Sequence, residues 1–325
     1  MQSPREIGIE DIEQAGNRIA GQVLRTPTSR SSSLTERCGV PVFLKLENRQ
    51  TTGSFKLRGA TNAVLTAPPG AKSRGLVTVS TGNHGRALAY AASAQGIRCV
   101  VCLSSLVPAN KKAAIAALGA EICVAGRSQD EAEDEARRLA REQGLTLVPP
   151  FDDPAIIAGQ GTIGMEILED VPTVELVLVP LSGGGLAAGI AAAVKALRPQ
   201  ARMVGVSMER GAAMHASLAA GHPVPVEELP TLADSLGGGI GLTNRYTFRM
   251  IRDLLDDAVL VSEEAIADGI RHADLVEHEI IEGGAAVGIA ALLAGVVAPR
   301  GPTVVVVSGG NIDPALHDRI VRRMQ

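Results

Sequence analysis

Short β-branched runs alternate with alanine-rich stretches along nearly the whole chain, and this alternation restricts the fold more than any other feature. The strand-like runs are PVFLKLE, GLVTVS, IRCVVCL, AEICVAG, VELVLVP, ARMVGVS and PTVVVVS. Between them lie helical patterns such as HGRALAYAASAQ, NKKAAIAALG, SQDEAEDEARRLAREQ, DPAIIAGQGTIGMEIL and GGLAAGIAAAVKAL. A helix after each strand predicts an α/β fold of parallel sheets covered on both faces. Ligands of such sheets sit beyond the carboxyl ends of the strands. The chain has 325 residues, enough for two units. Residues 75–148 read as a compact βαβαβαβ unit set into a larger one made of 1–74 and 149–325.

Composition narrows the function. Aromatic residues are only 2% of the chain, so its apolar volume comes from Ala, Val, Leu and Ile. A net charge of −4 argues against nucleic acid or an anionic membrane as the main partner. The start, MQSPREIGIEDIEQ, has no apolar signal core, and Gly or Pro interrupts every apolar run short of a membrane span. A cytoplasmic protein is expected. Four cysteines are too few for a disulfide scaffold. The CVVC of Cys99 and Cys102 lies in a strand-like run, where positions three apart face opposite ways. Both read as small core residues.

Three strand ends carry glycine punctuation: VTVS runs into TGNHG, LVLVP into LSGGGL, and VVVVS into GGN. Glycines let the backbone turn sharply and approach a ligand, while a following helix offers free N–H groups. SGGGL alone is a weak anion nest. Gly183, Gly185 and Gly189 do not have the G-x-G-x-x-G spacing, although Glu209 follows the next strand where a dinucleotide-binding fold places an acid. No GK[ST] of a Walker loop occurs. Lys56 discriminates among these readings, because it stands between Phe55 and Leu57 where a helix begins, framed like a core residue. A lysine of low exposure beside a phosphate nest is what pyridoxal phosphate requires. Burial also lowers a lysine's pKa and makes it a usable base.

TTGSFKLRGA resembles the lysine motif of the serine/threonine dehydratase family, the fold-type II pyridoxal-phosphate enzymes that include serine racemase. The resemblance runs nearly end to end. It takes in LKLENRQTTGSFKLRGATNAV, STGNHGRALA, PFDDPAIIAGQGTIGMEI, VPLSGGGLAAGIA, TLADSLGGGIG, IEGGAAVGIAALLAG and VVVVSGGNID. In wording, STGNHGRALAYAA and IIEGGAAVGIAALLAG most resemble the hydroxyectoine-utilization dehydratase branch. The resemblance implies a tryptophan synthase beta-like architecture, two open parallel-sheet domains with the cofactor between them, and a homodimer.

It also implies roles. Lys56 is the Schiff-base lysine and then the base that takes the Cα proton, and Phe55 packs beside the cofactor. Asn83 bonds the ring hydroxyl. Ser182, Gly183, Gly184, Gly185 and Leu186 cradle the phosphate. Ser80, Thr81, Gly82, Asn83 and His84 bind the substrate carboxylate, with His84 part of that turn and not a general base. Ser308 meets the pyridine nitrogen, where a neutral hydroxyl favours expulsion of a β-leaving group over transamination. The implied reaction turns a β-hydroxy-α-amino acid into a 2-oxo acid and ammonia. Candidate substrates are serine, threonine, 3-hydroxyaspartate or a hydroxylated diaminobutyrate. A racemase on the same scaffold is the alternative, and a non-catalytic α/β ligand-binding protein a remote one.

Several positions depart from the family. Thr81 stands where serine racemases carry a serine, which leaves racemisation open but less expected. Met208 and Met214 stand where the racemase branch places acids for a divalent ion, so no metal is expected there. His272, Asp274 and His278 read as one solvated helix face. The chain stops soon after SGGNID, and no appended regulatory domain is expected.

Overall fold

The computed structural model describes residues 7–80, 82–107 and 109–322. The first half runs α1 (Ile9–Ile19), β1 (Thr28–Ser31), α2 (Ser32–Cys38), β2 (Val42–Leu46), α3 (Lys56–Thr66), α4 (Pro69–Arg74), β3 (Leu76–Val79), α5 (Asn83–Ala94) and β4 (Cys99–Leu103). Next come α6 (Ala109–Ala116), β5 (Glu121–Val124), α7 (Gln129–Gln143), β6 (Thr146–Leu147) and α8 (Pro154–Asp170). The remainder is β7 (Leu176–Pro180), α9 (Gly185–Leu197), β8 (Arg202–Met208), α10 (Ala213–Ala220), α11 (Thr247–Leu254), β9 (Asp257–Val261), α12 (Glu263–Leu275), α13 (Gly283–Leu293), β10 (Thr303–Val307) and α14 (Pro314–Arg322).

The strands form a six-stranded sheet, β1-β2-β10-β7-β8-β9, and a four-stranded sheet, β5-β4-β3-β6. β1 runs antiparallel to β2, and every other pairing among the described strands is parallel. All seven strand-like runs of the sequence are strands. β1, β6 and β9 carry weaker signals: β1 is the polar tetrapeptide TSRS, whose register comes from β2 across it.

Side chains alternate across each sheet as a two-residue period demands. Val177 and Val179 of β7 enter one core with α1, α8 and α9, while Leu176 and Leu178 enter the opposite core with α12 and α13. Cys99 and Cys102 likewise fall into different cores of the smaller sheet. Burial pushes both thiols up to about 12, so neither is reactive. Helix α3 packs Leu57, Ala60 and Val64 into the core of the four-stranded sheet, and its other face meets α8. There a Cβ on Gly159 would stand 2.6 Å from the Cα of Gly59. On the far side of α8, a Cβ on Gly189 of α9 would stand 2.3 Å from the carbonyl of Ile157. Small residues thus bring α3, α8 and α9 nearly backbone to backbone.

Charges fix the same junction. Arg58 is 1% exposed and donates to Glu47 through Nε (3.0 Å) and Nη2 (2.8 Å). It also donates to Glu166 through Nη1 (2.6 Å) and Nη2 (2.9 Å). Lys45, fully buried, donates to the carbonyl of Thr26 (2.7 Å) and pairs with Glu166 at 2.6 Å. Such a network costs much desolvation, but removing one member is worse because its partners stay buried and charged. Arg58→Met is therefore expected to lower the unfolding free energy by roughly 3–5 kcal/mol in urea titrations.

Candidate active site

Lys56 owes its position to the turn before it. Ser54 bridges to Gly309, and the N–H of Phe55 donates to the carbonyl of Ser308 at 3.0 Å. This pins TTGSF to the end of β10, and α3 begins at Lys56. The half-buried Lys56 donates from Nζ to the carbonyl of Pro150 at 2.7 Å, with Nζ 5.2 Å from the centroid of the Phe55 ring. Burial lowers its pKa to about 8, opposed by the negative charge of Glu282. The framing read in the sequence thus has a physical cause: the stem packs and the amine ends in the interior.

The segment of residues 148–153, VPPFDD, organises the surroundings. The carbonyl of Val148 accepts from Thr78 Oγ1 at 2.8 Å and lies 3.1 Å from His84 Nε2. A carbonyl only accepts, so Nε2 carries the proton and Nδ1 is left as an acceptor. Nδ1 is buried without a partner among the described residues. Burial, and then the charge of Lys56, lower the His84 pKa to about 3, so the ring is neutral. A Cβ on Gly183 would fall 2.4 Å from the Phe151 ring, and one on Gly185 would fall 2.9 Å from the Phe151 carbonyl. Asp152 accepts from the amides of Arg245 (2.6 Å), Tyr246 (2.8 Å) and Thr247 (2.9 Å), at the start of α11. Asp153 caps α8 through the amides of Ala155 (2.8 Å) and Ile156 (3.1 Å).

Three strand ends of the two sheets meet here. After β7, Ser182 and Gly183 lead to Gly184, at φ +89°, and then into α9. The first amides of a helix have no partner within it, so Gly185 and Leu186 lie at a turn suited to a phosphate. After β10, Ser308 is 4% exposed and adjoins Phe55. After β3, the amide of Gly82 donates to Ser80 Oγ at 3.3 Å, and α5 starts at Asn83. Asn83 reaches the larger sheet through Asn311 (2.6 Å) and Glu282 (2.7 Å). Thr81 lies outside the described residues.

Sequence reasoning missed Glu282, Asn311, Ser235 and Asp152. Their only signal was position: each adjoins or lies near a glycine or proline turn in a motif quoted for other residues. One expectation is corrected. α12 ends at Leu275, so His278, at φ +58°, lies beyond it. His272 is part-buried and lies 3.1 Å from Glu277, while Asp274 faces His317 at 3.7 Å. His272 and Asp274 thus face the chain after α12 and the C-terminal helix, and of the three only His278, beyond the helix, is exposed. Met208 and Met214 are core residues, each 1% exposed. No helix among the described residues is long and apolar enough to cross a membrane.

The model of the family described as pyridoxal-phosphate dependent enzyme matches residues 19–309. The chain belongs to this family. It is a pyridoxal-phosphate-dependent lyase of fold type II, and Lys56 with the α9 turn fits an aldehyde and a phosphate on one ligand. It is 59% identical over 322 residues to a Sinorhizobium fredii protein provisionally named a threonine dehydratase, covering 99% of this chain and 97% of that one. It is 40% identical over 317 residues to the L-threonine ammonia-lyase of Thermotoga maritima, covering 98% of this chain and 79% of the other. Maize serine racemase superposes with a TM-score of 0.92 at 33% identity, covering 97% of each chain. The Dictyostelium discoideum serine racemase superposes with a TM-score of 0.88 at 31% identity, covering 94% of this chain and 99% of the other.

The depressed pKa of Lys56 has a consequence for the cofactor-free protein. Between about 8 and the ordinary 10.5, the unfolded chain binds the proton that the folded chain has released. Stability therefore rises with pH through that window, and the full penalty for the buried charge is felt below it. Lys56→Met is expected to be more stable than wild type at pH 7. The gap between their urea midpoints should close as pH rises from 8 to 10.5.

Proposed function

We propose that the protein is an ammonia-lyase for a β-hydroxy-α-amino acid of the threonine or serine type, yielding a 2-oxo acid and ammonia. The observation that carries this reading is the interior amine of Lys56, poised with a pKa of about 8 beside a neutral His84. A base so poised remains mostly protonated near physiological pH but keeps a far larger neutral fraction than an ordinary lysine, and it is re-protonated readily. When bound, pyridoxal phosphate supplies an electron-withdrawing ring that acidifies the Cα–H of an attached amino acid. Lys56 takes that proton. The first amides of α5, with the hydroxyls of Ser80 and Thr81, hold the substrate carboxylate at the positive end of a helix. Ser182, Gly183, Gly184, Gly185 and Leu186 hold the phosphate. Ser308 would offer the ring nitrogen a neutral hydroxyl, which would make the ring a weaker electron sink than a charged partner would and so favour elimination over transamination.

The relatives named as threonine dehydratases and ammonia-lyases support elimination over other chemistry on this scaffold. Within the class, the STGNHGRALAYAA and IIEGGAAVGIAALLAG segments favour a hydroxylated diaminobutyrate, as in hydroxyectoine breakdown, as a substrate to set beside threonine and serine. The test incubates the cofactor-loaded protein with L-threonine, L-serine, 3-hydroxyaspartate and that diaminobutyrate in deuterated water. Expected are equal amounts of 2-oxo acid and ammonia from at least one of them, and none with Lys56→Ala. Cα deuteration with the opposite enantiomer and no ammonia would replace this reading by a racemase. No turnover of any of the four would overturn it.

A further inference from the structure

Glu282 is 5% exposed, stands at the start of α13 with no side-chain bond to that helix, and has no part in the roles above. It ends a chain of hydrogen bonds whose direction is fixed at both ends. At one end the carbonyl of Thr52, which only accepts, takes a bond from Asn311 Nδ2 at 3.0 Å. The same Nδ2 donates to Asn83 Oδ1 at 2.6 Å, which assigns the oxygen of Asn83. Asn83 Nδ2 then donates to Glu282 Oε1 at 2.7 Å. A carboxylate also only accepts, so neither amide can flip without breaking a bond at one end. Ser235, on the loop before α11, donates to the same carboxylate.

This chain joins three walls of the cleft. Thr52 stands just before Lys56, Asn311 follows β10 of the six-stranded sheet, Glu282 opens α13, which packs on that sheet, and Asn83 opens α5 beside the four-stranded sheet. Two glycine motifs make room for it. A Cβ on Gly309 would sit 3.0 Å from Glu282 Oε1, and one on Gly284 would sit 2.2 Å from Ser235 Oγ. The Glu282 backbone is itself anchored, its amide donating to the Gly309 carbonyl at 3.1 Å. The charged groups acting on Glu282 or responding to it are Lys56 and Asp234.

We propose that Glu282 is a positioning residue that fixes the orientation of the Asn83 amide and latches α5 onto the six-stranded sheet. One hydrogen on Asn83 Nδ2 is committed to Glu282, and the other is left for the cofactor. The proposal rests on the cofactor and not on the identity of the substrate, so it stands or falls apart from the lyase reading.

The test compares Glu282→Gln, which keeps an acceptor oxygen, with Glu282→Leu, which does not. Amide hydrogen exchange in the first turn of α5 is read in cofactor-free protein, and pyridoxal phosphate affinity by titration. Glu282→Leu should exchange about tenfold faster or more in that turn and bind cofactor about tenfold more weakly. Glu282→Gln should stay near wild type in both. In an Asn83→Ala background, Glu282→Leu should weaken cofactor binding little further, because the path through Asn83 is already gone. Unchanged exchange and affinity in Glu282→Leu would overturn the proposal. So would losses that simply add to those of Asn83→Ala, or a Glu282→Gln as impaired as the leucine variant.

Discussion

Six consecutive residues, VPPFDD, hold much of the site together, because the lysine, the histidine turn, the head of α11 and the α9 turn all bond to or pack on them. Prolines at 149 and 150 remove two N–H groups, so this stretch presents carbonyl acceptors with few donors of its own. Thr78 and His84 from the small sheet meet the carbonyl of Val148, and Lys56 meets that of Pro150. Phe151 closes on the glycines of the α9 turn, and Asp152 gathers three amides at the head of α11. Displacing this segment would disturb the amine, the histidine and the phosphate turn together.

Around that segment the protein trades bulk for proximity. With few aromatic residues, its cores are filled by Ala, Val, Ile and Leu, and glycines let α3, α8 and α9 approach almost to backbone contact. Close packing of this kind transmits a small shift directly. The Arg58, Glu47, Glu166 and Lys45 network adds direction to the same junction, since a bidentate guanidinium accepts few geometries. The helix that carries Lys56 is therefore held by shape on one face and by charge within.

The electrostatics of the cleft are spare. Lys56 is half-buried and destabilised as a cation, His84 is neutral, and Glu282 is a carboxylate raised in pKa chiefly by burial. A single base with a tuned pKa suits proton abstraction, while the helix starts of α5 and α9 supply positive potential without further titratable groups. Carboxylate and phosphate can then be held by backbone amides whose charge does not vary with pH.

Much of this was legible in the order of residues. The alternation of periods specified parallel α/β sheets, because buried strands and covering helices each leave their own repeat. TTGSFKLRGA, STGNHG and SGGGL marked the amine and the two helix starts, because such turns need particular residue types locally. β1 and β9, the two edges of the larger sheet, escaped, since their pairing depends on a partner strand. Glu282, Asn311 and Asp152 escaped for the same reason, each being defined by a bond to a distant segment. The sequence by itself determined the fold class, the lysine that opens α3 and the glycine turns at the starts of α5 and α9, all set by local chemistry. Only the tertiary structure decided that Lys56 points at Pro150, that His84 is neutral, and that Asn83 is gripped from the other sheet. Those facts depend on burial and on contacts between residues far apart in the chain, which no local pattern records.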